Sequence, residues 1–168
     1  MNLLADVGAG MVTAFGETVP AAFGKGGSIA AAAKREGDGA TPLGRWPVRA
    51  ALLRPDRMTA PMTRLPWRWL RVGDGWSDGI ADPEYNRPVR WPHSHSAEQL
   101  WRADHAYDII VVLGHNDTPP VPPLGSAIFF HCTQPDRRPT EGCVAVDREV
   151  LARWLGQIAP GDAMTITR

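Results

Sequence analysis

Cys143 and His131 are the residues of this chain best suited to nucleophilic chemistry. A free cysteine thiol has a pKa of ~8.5 and is mostly protonated at neutral pH, so thiol catalysis needs a base close by, usually histidine. Gly142 adds a second element. Lacking a side chain, it lets the backbone approach an acyl group, so the N–H groups of Gly142 and Cys143 are candidate donors to a developing oxyanion, each typically worth ~3 kcal/mol. Taken singly, these residues also have ordinary readings: cysteine is among the most buried residue types, and a histidine can simply end a strand.

Function therefore depends on elements that bring His131 and Cys143 together. YDIIVVLG at 107–114 is an unbroken apolar, β-branched run of strand length and reads as a central strand. HNDTPPVPPLG forbids regular structure, and SAIFFH at 126–131 resumes a buried strand that ends at His131. CTQPDRRPTEG is a loop by composition, and it delivers Cys143 at the start of the short strand CVAV. Such a loop can fold back and set the two reactive residues side by side. Asp147 then caps a helix whose apolar residues Val150, Leu151, Trp154, Leu155 and Ile158 recur at helical spacing up to Pro160 and Gly161, and MTITR closes the chain as a strand.

Upstream, Met11 to Phe15 and Thr18 to Phe23 read as a hairpin, Ser28 to Lys34 as a helical turn, and Trp46 to Leu53 as a strand. Residues 55–105 lose hydrophobic periodicity and are rich in tryptophan, proline and arginine. They read as a long irregular insertion that walls a cleft, packed by Trp67, Trp69, Trp76 and Trp91. About seven strands with one good helix make a mainly β, sandwich-like fold.

The segment GSAIFFHCTQPDRRPTEGCVAV resembles the catalytic signature of the L,D-transpeptidase (YkuD-like) family: a histidine on a strand, a variable loop, a small hydroxyl residue, one residue, glycine and the nucleophilic cysteine. Here these are His131, the loop to Pro139, Thr140, Glu141, Gly142 and Cys143. KREGDGATPLGRWPV at 34–48 is similar to the family's approach to its core, and WSDGIADPEYNRPV and LWRADHAYDIIVVLGHN look like a subgroup carrying this insertion. The chain departs from the familiar pattern at Glu141, where histidine is usual, at Ala145, where arginine or asparagine is frequent, and in the short separation of His131 from Cys143. The resemblance implies a single L,D-transpeptidase-like catalytic domain over 1–168. It implies a cysteine acyl-enzyme acting on peptidoglycan stem peptides, susceptibility to a covalent carbapenem adduct, and a periplasmic or wall-associated setting. Cross-linking, of the 3-3 type or a variant such as 1-3, carboxypeptidase action and D-amino-acid exchange would all share that acyl-enzyme. A catalytically silent wall-peptide-binding domain is the alternative of another class. A papain-like or NlpC/P60-like peptidase usually places cysteine before histidine, the reverse of the order here.

His115 and Asn116, at the exit of the central strand, and Arg138 and Thr140, beside the nucleophile, are the candidate substrate contacts; Arg137 shares the loop. Cys132 points away from His131 across an extended strand and reads as core. His93, His95, His105, His115 and the two cysteines raise the idea of zinc, but no Cys-x-x-Cys or His-x3-His spacing supports it, so neither metal nor cofactor is expected. Both cysteines are expected as free thiols.

In 168 residues, 43% of them apolar, 18 basic side chains cancel 18 acidic ones, so no long-range positive field favours nucleic acid. No apolar run reaches the ~18 residues of a membrane span, and a monomer is expected. The first segment lacks a basic start and carries Asp6 within its apolar stretch, so it does not read as a signal peptide. An exported enzyme would then begin after a removed leader or travel by another route.

Overall fold

The computed structural model describes residues 2–168 and is built mainly of strands. Its elements are β1 (Asn2–Asp6), β2 (Met11–Ala14), β3 (Glu17–Pro20), β4 (Ser28–Ala30), β5 (Thr41–Leu53), β6 (Trp67–Trp69), β7 (Asp74–Ser77), β8 (Pro88–Arg90), β9 (Ala97–Gln99), β10 (Ile109–Leu113), β11 (Phe129–Cys132), β12 (Val144–Val146), α1 (Arg148–Leu155) and β13 (Ala163–Thr167). The main sheet runs β12-β11-β10-β5-β13-β1-β2-β3. Past β3, Ala22 exchanges both backbone hydrogen bonds with Ala145 on the far edge strand, at 2.8 and 2.9 Å. The sheet thus closes nearly into a barrel, which removes the unpaired edge that β12 would otherwise present.

Alternation along the central strands divides the core. On β10, Ile109, Val111 and Leu113 face one side, with Phe130 and Cys132 of β11 and with Leu151, Trp154 and Leu155 of α1. Ile110 faces the other side, with Phe129, Cys143, Tyr107 and Trp76. A strand buried on both faces needs apolar residues at every position, which is why IIVVL is continuous. Burying each of Phe129 and Phe130 completely stabilises the fold by about 2–3 kcal/mol.

The expected hairpin is present, and its turn is Phe15–Gly16, both at positive φ (52° and 81°), which matches the twist of a two-residue β-turn. Other expectations are corrected. Ser28 to Lys34 is a short strand followed by a three-residue 3-10 turn, because Ser28–Ala30 finds a parallel partner in Thr41–Leu43. The strand expected from Trp46 begins earlier, at Thr41, and runs for 13 residues. Thirteen strands are present among the described residues, where about seven were expected.

The insertion is less irregular than its composition implies. β6 adds in parallel to β5, while β7, β8 and β9 form a separate antiparallel sheet, order β8-β7-β9. Both ends of the insertion are stapled together: Arg54 donates to the Arg102 carbonyl and stacks 3.9 Å over Trp101, and Arg57 binds the fully buried Asp108 at 2.8 Å. Trp76 packs edge-on against Phe129 at 5.1 Å, whereas Trp91 is exposed. The helix ends at Leu155, and Ile158 is buried from the turn beyond it. Asp147 stands at the N-cap, but its carboxylate turns to Thr133 and Arg137 and makes no side-chain cap. No helix among the described residues is long and apolar enough to cross a membrane.

Candidate active site

Cys143 and His131 line one cleft of ≈ 400 Å³. Their convergence follows from strand geometry. β11 and β12 pair in parallel with Phe130 opposite Val144 and His131 opposite Ala145, so Cys143 falls opposite Phe129. Phe129 and His131, two residues apart, share a face. The Phe129 N–H donates to Cys143 Sγ at 3.3 Å, and the thiol donates to the Ala127 carbonyl at 3.2 Å. Cys132 lies on the other face, in the core, and both cysteines are free.

His131 is buried, and its Nδ1 lies 2.9 Å from the Cys132 carbonyl. A carbonyl only accepts, so Nδ1 carries the proton and Nε2 keeps its lone pair. Burial lowers the His131 pKa to about 4. Burial also pushes the Cys143 thiol up to about 12, with a smaller contribution from the Glu98 carboxylate. The resting pair at neutral pH is therefore a neutral thiol and a neutral imidazole.

Gly142 has φ +134°, and a Cβ there would meet the Ala40 carbonyl oxygen at 2.9 Å. Its N–H donates to Thr140 Oγ1 at 3.1 Å, and the Thr140 hydroxyl donates to the Cys143 carbonyl at 2.8 Å. The expected pair of oxyanion donors is thus reduced in this state, because the Gly142 N–H is engaged in holding the turn that presents the cysteine. Gly142→Ala should lower stability by about 1–3 kcal/mol, through strain at positive φ and the close contact with Ala40. A thermal melt of the variant checks this.

Thr140, Arg138 and Glu141 line the cleft. Arg138 is paired with Asp136 at 2.9 Å, and Glu141 forms an exposed ion pair with Lys25 at 2.8 Å. His115 and Asn116 are not among the cleft's lining residues. His115 is buried edge-on to Trp46 at 4.7 Å, and burial, with the Lys34 charge, lowers its pKa to about 4. Asn116 donates to the carbonyls of Val121 and Gly125 and accepts from the Val121 N–H, so it organises the proline loop.

Several cleft residues carried no local signal in the sequence. Tyr107 packs edge-on to His131 at 5.1 Å, and its hydroxyl donates to Glu98 Oε1. Glu36, Asp78, Glu98 and Arg102 also line the cleft, three of them from the insertion. Burial raises the pKa of Glu98, against the Tyr107 hydrogen bond that lowers it. Asp78 Oδ1 is buried with no hydrogen-bond partner among the described residues.

Among solved structures, the chain is similar to an L,D-transpeptidase from Mycobacterium smegmatis, at 13% identity and a TM-score of 0.45, covering 99% of this chain and 58% of that one. L,D-transpeptidase 3 from Mycobacterium tuberculosis, in complex with a faropenem-derived adduct, gives 14% identity and a TM-score of 0.46, covering 99% of this chain and 60% of that one. The chain thus spans less than two thirds of the length of these structures. No curated protein sequence matches it significantly. The sequence model of the L,D-transpeptidase catalytic domain matches residues 10–166, nearly the whole chain, and so the chain belongs to the YkuD family of L,D-transpeptidase catalytic domains.

Proposed function

We propose that this domain is a peptidoglycan L,D-transpeptidase working through a thioester on Cys143, in the periplasm or at the cell wall. The observation that carries the reading is the placement of Cys143 and His131 on one face of adjacent parallel strands, both open to one cleft. His131 Nε2 takes the thiol proton as sulfur attacks the carbonyl at the L-centre of a stem diamino acid. The Phe129 N–H, already directed at sulfur, stabilises negative charge as it gathers there. The tetrahedral adduct collapses with cleavage of the carbon–nitrogen bond, and the imidazolium gives its proton to the departing amine of the terminal D-residue. An amine from a second stem, deprotonated by His131, then displaces the thiol and forms the cross-link. Water in that place gives carboxypeptidase products, and a free D-amino acid gives exchange.

The oxyanion role falls to the Cys143 N–H. The insertion walls the cleft, and its lining suits a zwitterionic peptide: Glu36, Asp78 and Glu98 complement an ammonium, while Arg102 and Arg138 complement a carboxylate. Asp78 Oδ1, buried and without a hydrogen-bond partner among the described residues, is the contact most in need of a donor.

Incubation with purified muropeptides should yield new oligomers or trimmed tetrapeptides by liquid chromatography and mass spectrometry. A carbapenem should add its mass once to the intact protein, on the peptide containing Cys143. Unchanged muropeptides together with an unlabelled protein would favour a silent binding domain.

A further inference from the structure

Three side chains outside the cleft converge where the β7–β8 loop meets the β8–β9 turn. His93 Nε2 lies 2.6 Å from Asp82 Oδ2, and His95 Nδ1 lies 3.7 Å from Asp82 Oδ1. All three residues offer a donor atom within 4.8 Å of the others. The cluster is anchored at one side and open at the other: the side chain of Asp82 is 2% exposed, that of His93 13% and that of His95 41%. Asp82 is itself held in orientation. The Ser77 hydroxyl donates to Oδ2 at 2.5 Å and the Glu84 N–H to Oδ1 at 2.9 Å, while Ser94 Oγ lies 3.3 Å from His95 Nδ1.

We propose that Asp82, His93 and His95 form a binding site for a divalent transition-metal ion of the zinc type, with solvent completing its coordination on the open side. Zinc binds imidazole nitrogen and carboxylate oxygen at ~2.0–2.2 Å, which places adjacent tetrahedral ligands ~3.3 Å apart. The separations of 2.6 and 3.7 Å bracket that spacing, so small side-chain adjustments admit the ion. Two imidazoles select against calcium and magnesium, which prefer all-oxygen shells. Ser77 and the Glu84 amide supply the outer support that fixes a ligating carboxylate. A plain His93–Asp82 ion pair explains neither the second imidazole beside the other carboxylate oxygen nor the opening toward solvent. The absence of a recognised ligand spacing led to no expectation of metal, because Asp82 joins the histidines only through the antiparallel pairing of β7 with β8 and β9.

The ion would clasp the loop after β7 to the turn before β9. Asp78, just past β7, and Glu98, on β9, both line the catalytic cleft, so the site braces the wall of that cleft. The test uses the whole chain, stripped of metal by chelator and dialysis, then titrated with zinc by calorimetry and with cobalt(II) by absorption spectroscopy. One equivalent should bind, with a cobalt spectrum free of thiolate charge transfer and a melting temperature raised by a few degrees. His95→Ala, at the exposed side, should weaken binding by about tenfold or more while melting like the parent without metal. Cys143→Ser should still bind one equivalent. Failure of the parent chain to take up zinc, or full binding by His95→Ala, overturns the proposal. Loss of binding in Cys143→Ser places the ion at the catalytic thiol and overturns it equally.

Discussion

Replacing Cys143 by alanine is expected to reduce acyl transfer by at least about 10⁴-fold, to background, because the substitution removes the atom that carries the acyl group in the proposed mechanism. The fold should survive. Cys143 Sγ makes two hydrogen bonds, to Ala127 and Phe129, and losing a bond of this kind costs about 1 kcal/mol. Intact mass after carbapenem treatment and muropeptide turnover read the effect, while a thermal melt shows that the domain is folded. Equal turnover by the alanine variant would sink the nucleophile assignment. A companion measurement probes the resting state of the thiol. With the Cys143 pKa pushed up to about 12 by burial, alkylation by iodoacetamide at neutral pH should run about a thousandfold slower than for free cysteine and rise with pH. Fast alkylation at neutral pH would mean a preformed thiolate and a different division of labour with His131.

The second large effect is expected at His131. His131→Asn should lower the rate of acyl-enzyme formation by roughly 10²–10⁴-fold, the usual range for a positioned general base. The pH dependence adds a signature that a packing defect would not produce. The folded protein keeps this imidazole neutral down to about pH 4, so the acid limb of kcat/KM assigned to the base should lie near 4 and should vanish in the variant. Stability follows the same linkage with a definite sign. The His131 pKa is lowered in the fold, so between about pH 6.5 and 4 the unfolded chain takes up a proton that the folded one refuses. The native state therefore loses stability on acidification, by up to about 1.4 kcal/mol per pH unit from this group, and the loss ends below about 4. The parent should show this dependence across that window, and His131→Asn should show less of it, in melts recorded from pH 4 to 7.

Much of the architecture was legible because some segments allow only one solution. IIVVL, apolar and β-branched at nearly every position, suits a strand covered on both faces, and it is the central strand flanked by β5 and β11. The apolar residues of REVLARWL bury one helical face, Leu151, Trp154 and Leu155, as their spacing requires. The strands hidden within 55–105 were not legible, since three- and four-residue strands such as Pro88–Arg90 and Ala97–Gln99 are too short for periodicity to show. Their partner is β7, from a different part of the segment.

The chemistry divides in the same way. By itself the sequence determined the residue types and their order: His131 ahead of Cys143, with Thr140 and Gly142 in the turn before the thiol, a local pattern that needs no distant partner. Tertiary structure decided the rest. It placed His115 and Asn116 away from the cleft lining, since the proline loop folds on Asn116. It set the Gly142 N–H on Thr140, and it brought Tyr107, Glu98 and Asp78 into one cleft with Cys143 and His131. The protonation states of Cys143 and His131 were likewise decided there, because burial dominates both, and burial is a property of everything packed around a residue.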